Sequence, residues 1–190
     1  ISAEESDEQA EADLTAELVD SARRGLDVVR LVSGDPFLDG DVAAEAAALA
    51  KADIDVDVMP GISPLTSVPE YAGVTLHGHD VQLIGPTAAK RDFQEEGHPW
   101  ARRGLIVARV TAGQVPLLVD HAIESGRDQD EPAVLTRHGA TTEQVSTTTT
   151  LAALPKVLPA SRVESDEMVH VVIGRVAEGP SREELDWYES

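Results

Sequence analysis

The apolar run Val28-Val29-Arg30-Leu31-Val32 empties straight into Ser33-Gly34-Asp35-Pro36, and an alanine-rich stretch comes next. A short run without polar alternation suits a strand buried on both faces, the kind that parallel sheets use. Residues Asp27 to Val32 therefore read as a strand. Asp41 to Ala52 reads as a helix, on its alanine content and on Val42, Ala46 and Leu49 along one side. Ile54 to Met59 alternates apolar residues with Asp, a second strand that Pro60-Gly61 stops. Strand, loop, helix, strand is a βαβ unit, whose connection is right-handed. The chain is thus expected to be α/β.

Leu14, Leu18, Val19 and Ala22 recur at helical spacing, which predicts a helix to about Arg24 that Gly25 ends. The acidic opening ISAEESDEQAEAD carries no Lys or Arg and no apolar face, so residues 1–13 read as a disordered arm. A short helix is expected over Leu65 to Tyr71. Further strands are expected at Val81 to Ile84, Leu105 to Val110, Pro132 to Arg137, Gln144 to Thr150 and Met168 to Val176. Between them Val115 to Ser125 is an amphipathic helix closed by Gly126, and the tail holds Leu185, Trp187 and Tyr188. The Gly78 to Asp80 region is the natural boundary, giving subdomains 14–79 and 80–190.

Of 190 residues 42% are hydrophobic but only 3% aromatic, so Val, Leu, Ile and Ala must fill the core. The absence of cysteine excludes disulfides, thiolate metal sites and cysteine nucleophiles. A net charge of −20 disfavours nucleic acid and anionic membranes as partners. No apolar run approaches a membrane span and no signal peptide precedes the acidic start, so a cytoplasmic location is expected.

Ligands of open α/β sheets sit beyond the carboxyl ends of the strands. Ser33-Gly34-Asp35-Pro36 and Pro60-Gly61-Ile62-Ser63 both occupy that edge in the expected unit. Two readings stay open for them. Gly34 and Gly61 could let backbone amides approach a ligand while Asp35 accepts from a hydroxyl or ammonium. Alternatively, Asp35 caps a turn and the glycines supply positive φ. His138-Gly139-Ala140-Thr141 ends another strand in the same style, with a plain hairpin as the alternative. The six histidines are scattered, and His77 with His79 lacks further ligands at a recognisable interval, so no metal site is expected. No Ser-His-Asp order and no glycine-rich phosphate loop stands out. Trp100 and Trp187 read as packing residues.

Four blocks, VVRLVSGDPFLDGDVAAEAAALA, VDVMPGISPLTSVPEYAGVTL, EPAVLTRHGATTEQVSTTTTLAAL and MVHVVIGRVA, resemble successive segments of the tetrapyrrole methylases in order and spacing. The likeness runs from Leu14 to Trp187 and is strongest to the members that C-methylate uroporphyrinogen III, on the branch to siroheme and cobalamin. It implies two α/β subdomains with S-adenosylmethionine in the cleft between them, usually in a homodimer. The first subdomain is expected to be incomplete, because the family's glycine-rich first strand and loop have no counterpart here. ELDWYES resembles the end of the methylase part in bifunctional proteins, which implies a fused or partner uroporphyrinogen-III synthase.

By position, the resemblance gives Ser33, Gly34 and Asp35 cofactor contacts through backbone and carboxylate, with Leu38 beside them. Ser63 and Pro64 would line the adenosine side, Gly139 would pack on the adenine, and Val110 stands where a methionine is usual. Methyl transfer to a pyrrole carbon would then depend mainly on alignment, with a positioned base to take the proton. Arg91, Arg102, Arg103 and Arg109 are candidates to hold a polyanionic substrate. The chain departs from the family at Ser33-Gly34 in place of Gly-Gly, at Asp41 in place of an arginine, and at Val110-Thr111-Ala112-Gly113 in place of Met-Gly. Two alternatives accompany the methylase reading: a degenerate, non-catalytic module of the same fold, and a methylase for another precorrin.

Overall fold

The computed structural model describes residues 3–40, 42–93, 97–158 and 164–175. The chain divides into two compact units, Ile1–Ser63 and Pro64–Ser190. The composition marks Gly78 to Asp80 instead; α3 (Pro64–Tyr71) belongs to the second unit because Leu65 and Val68 are buried with its sheet.

In the first unit α1 (Ala3–Arg23) packs against α2 (Val42–Lys51). The helix takes in most of the acidic opening that reads as a disordered arm, since Ala and Glu there are strong helix formers. Among the side chains described in it Leu18 is buried, and Gly25 ends it, donating its N–H to the Ala22 carbonyl at 2.9 Å. Neither expected strand of this unit forms. No backbone–backbone hydrogen bond ties residues 27–32 or 55–61 among the described residues, and Val29, Leu31 and Met59 are 80%, 82% and 84% exposed. The βαβ reading of residues 27–59 is therefore corrected. Apolar composition prepares a segment for a sheet, but a strand exists only where a neighbour supplies its ladder.

The second unit holds a five-stranded sheet in the order β1-β2-β5-β3-β4. Its strands are β1 (Val81–Ile84), β2 (Leu105–Thr111), β3 (Pro132–Arg137), β4 (Val145–Thr150) and β5 (Met168–Ile173). β1 and β2 are parallel, and the other pairs are antiparallel. The connection between β1 and β2 carries α4 (Pro86–Asp92), where the sequence reads as a polar link. Pro86 opens this helix, where a missing N–H costs nothing. The chain's βαβ unit is thus β1-α4-β2.

Both faces of the central strands are covered, which is why β2 and β5 are apolar at nearly every position. On one face Ile106, Ala108, Val110, Val171 and Leu135 pack under α5 (Val115–Glu124) and a 3-10 helix, Leu151–Val157, that the sequence pattern does not announce. On the other, Val107, Val134 and Val172 meet Leu65 of α3 and Val74. β4 lies at the edge, and its Thr run suits a half-covered position. The Arg127 guanidinium, fully buried, forks onto Glu131 at 2.8 and 2.7 Å and donates to the carbonyls of Ala101 and Gly104 at 3.0 Å. A buried cation is tolerable only when so fully paired. No helix among the described residues is long and apolar enough to cross a membrane.

Candidate functional site

The first unit brings Ser33, Gly34, Asp35, Leu38 and Ser63 together around the turn at 33–40 and the irregular segment before Pro64. Gly34, at φ +79°, reverses the chain into a single helical turn that Asp35 caps. The Asp35 Oδ1 accepts from the N–H groups of Phe37 and Leu38, both at 3.0 Å, and its carbonyl accepts from Asp39 N–H at 2.8 Å. The capping reading of Asp35 is therefore correct for one carboxylate oxygen. Oδ2 has no protein partner among the described residues.

Asp39 answers Asp35 from the far end of the turn. Its Oδ2 accepts from Asp35 N–H at 2.7 Å, and its Oδ1 accepts from the Ser63 hydroxyl at 2.9 Å. Ser63 is 4% exposed, so that hydroxyl is buried and committed. The two segments also meet through bare backbone: a side chain on Gly61 would run into the Gly34 carbonyl, and one on Gly34 would meet the Asp39 carboxylate. These two glycines permit protein to approach protein. Beside them Phe37 and Leu38 are 60% and 44% exposed, an apolar rim next to Asp35. Sequence reasoning passes over Asp39; its one signal is the four-residue spacing from Asp35, which puts it back over the same helical turn.

The second unit treats its three candidates differently. Pro64 begins α3, and Gly139, in the turn after β3, lies against Val68 of that helix. Val110 lies apart from them: fully buried, its side chain points with Ile106 and Ala108 to the sheet face opposite α3. The turn around Gly139 is held in an unusual backbone, with His138 and Ala140 at φ +49° and +59°. Such left-handed non-glycine residues cost about 1–2 kcal/mol each. Arg137 anchors the turn by donating to both Glu167 oxygens at 2.9 and 3.0 Å. Those hydrogen bonds hold the Glu167 carboxyl below its usual range against the opposing effect of burial, with the charges of Arg137 and His138 assisting, and they raise Arg137.

The candidate arginines have different fates. Arg91 donates twice to Asp92, and Arg102 donates to the Ser125 carbonyl at 3.2 Å. Burial alone would raise the Asp92 carboxyl; hydrogen bonds from the Trp100 indole and Arg91 outweigh it and hold Asp92 low. Arg103 is exposed. Arg109 stands opposite His170 across β2 and β5, its buried Nε without a hydrogen-bond partner. No group of three His, Cys, Asp or Glu residues that could hold a metal ion occurs among the described residues.

The mixed α/β unit has the fold of a methylase class, and residues 1–155 match the family model of tetrapyrrole (corrin/porphyrin) methylases. The chain belongs to that family. It is 32% identical over 181 residues to a siroheme synthase of Pseudomonas fluorescens strain Pf0-1, covering 93% of this chain and 38% of that protein. It is 30% identical to a siroheme synthase of Thiobacillus denitrificans, over 90% of this chain and 36% of the relative. The chain thus spans well under half the length of these relatives. Among solved structures, uroporphyrin-III-C-methyltransferase from Thermus thermophilus aligns with a TM-score of 0.69 at 23% identity, covering 85% of this chain and 70% of that one. A uroporphyrin-III C-methyl transferase of Thermus thermophilus complexed with S-adenyl homocysteine aligns at 0.66 and 22% identity, over 86% and 73% of the two chains. These likenesses show the shared fold.

Proposed function

We propose that this chain is the methylase portion of a protein that transfers a methyl group from S-adenosylmethionine to a carbon of uroporphyrinogen III. The observation that carries the reading is the linked pair of segments in a chain of this family: Asp35 holds one carboxylate oxygen in its own turn and leaves the other beside exposed Leu38. An unpaired carboxylate oxygen next to apolar surface fits a nucleoside bearing a sulfonium and ribose hydroxyls. When bound, S-adenosylmethionine supplies an electrophilic methyl group.

Ser33 and Gly34 contribute backbone to the cofactor in this reading. Asp35 contributes its carboxylate, because its N–H is already given to Asp39. Leu38 and the backbone at Ser63 complete the first unit's part. The family resemblance also assigns Pro64, Gly139 and Val110 to the cofactor, and buried Val110 could offer only backbone. The siroheme synthase names of the relatives and the uroporphyrin-III-C-methyltransferase name of the Thermus neighbour support this substrate, and the S-adenyl homocysteine complex of a Thermus enzyme supports the cofactor. Arg103 and Arg109, uncommitted to carboxylates among the described residues, are the remaining candidates for the substrate's acidic side chains. The family resemblance further implies a homodimer, to be checked by analytical ultracentrifugation, and a uroporphyrinogen-III synthase partner.

Titration calorimetry of the full-length protein with S-adenosylhomocysteine, paired with methyl transfer to uroporphyrinogen III, tests the reading. Asp35→Ala should weaken binding by more than about tenfold. Loss of the cap should cost only about 1 kcal/mol of stability. Unchanged affinity would remove Asp35 from the site. A folded protein that binds nothing leaves the second reading, a non-catalytic module, which the unpaired segments 27–32 and 55–61 favour.

A further inference from the structure

We infer that Asp39 is the positioning residue of the cofactor cradle, its one carboxylate fixing the turn at 33–40 against the segment Gly61–Ser63. The inference rests on the cofactor reading above and adds to it a residue that does not touch the ligand. The two Asp39 oxygens divide the work, Oδ2 taking the Asp35 N–H at 2.7 Å and Oδ1 the Ser63 hydroxyl at 2.9 Å. Asp39 also makes a backbone bond within the turn it spans, Asp39 N–H to the Asp35 carbonyl at 2.8 Å. Asp35 and Asp39 are therefore locked reciprocally, side chain to backbone in one direction and backbone to backbone in the other.

Behind this clasp there is no slack. Gly61 lies on the Gly34 carbonyl with no room for a side chain, so the two segments can separate but cannot approach further. Asp39 opposes the separation. Since the Asp35 N–H is consumed by Asp39, the Asp35 carboxylate is the group left to face a ligand, and the clasp decides where it points. The chemistry of the clasp also makes it separable by mutation. Asparagine can keep both contacts, its amide oxygen accepting from Asp35 N–H and its NH2 donating to the Ser63 oxygen, because a hydroxyl accepts as readily as it donates. Alanine keeps neither.

The test titrates S-adenosylhomocysteine into the full-length protein and its Asp39→Ala, Asp39→Asn, Ser63→Ala and Asp35→Ala variants, with a thermal melt of each. Asp39→Ala should bind about tenfold more weakly and Ser63→Ala about threefold, two lost hydrogen bonds against one. Asp39→Asn should stay within about threefold of the parent. Parent-like affinity in Asp39→Ala, with Asp35→Ala impaired, overturns the role of Asp39 and leaves the cofactor site standing. Equal losses in Asp39→Asn and Asp39→Ala overturn it as well. If neither Asp35→Ala nor Asp39→Ala alters binding, or the folded parent does not bind, the cofactor reading falls and takes this inference with it. Should Asp39→Ala fail to fold, Ser63→Ala decides, and parent-like affinity there is the negative result.

Discussion

Arg137 and Glu167 show how a single pair of side chains can hold a strained turn. They join the ends of β3 and β5 beside His138 and Ala140, the two left-handed residues flanking Gly139. Because the folded protein holds the Glu167 carboxyl below its ordinary value of 4.5, its contribution is complete above that pH. It is lost as pH falls through the lower folded value. Glu167→Gln should therefore destabilise the protein at neutral pH and flatten part of the acid limb. Denaturant unfolding of parent and variant from pH 7 to about pH 3 checks this, since the difference between them isolates one carboxylate. Parallel curves at all pH values would deny Glu167 that role. Both side chains are about one-fifth exposed, so added salt should weaken the effect only partly.

At the scale of elements, the legible parts are those whose pattern and partners agree. β1, β2, β3 and β5 are short apolar or β-branched runs, α5 has an apolar stripe, and each finds its neighbour within the second unit. Residues 27–32 carry the same pattern and form no strand, because composition cannot reveal whether a ladder partner is present. α4 escapes notice for the opposite reason: Gly85 and Pro86 look like a loop, while in fact they start a helix. The site divides likewise. Asp35 is visible as a residue of the turn, but the link from Asp39 to Ser63, distant in sequence, is not. A pair of substitutions separates the two kinds of apolar segment. Leu118→Ala, in the core under the sheet, should cost about 2–5 kcal/mol. Leu31→Ala, 82% exposed, should stay within about 0.5 kcal/mol. Comparable losses in chemical denaturation would show that residues 27–32 are covered in solution.

The molecule as a whole is uneven in its bonding. The second unit ties its backbone into one five-stranded sheet and buries both sheet faces, whereas the first, among the described residues, has two helices, short turns and unpaired segments. Local opening tracks such differences in protection. Native-state hydrogen exchange should find the amides of 27–32 and 55–61 exchanging within seconds and those of β2, β3 and β5 protected by orders of magnitude more. Uniform protection across the chain would contradict the unpaired state of those segments.

The strand order carries a consequence for how the protein is made. β5, the last of the described strands, lies between β2 and β3 and joins one half of the sheet to the other. A nascent chain can zip β1 to β2, and β3 to β4, while still being translated. The halves remain separate until Ile173 clears the ribosome tunnel, and during that interval the inner edges of β2 and β3 are open to whatever chaperone is near.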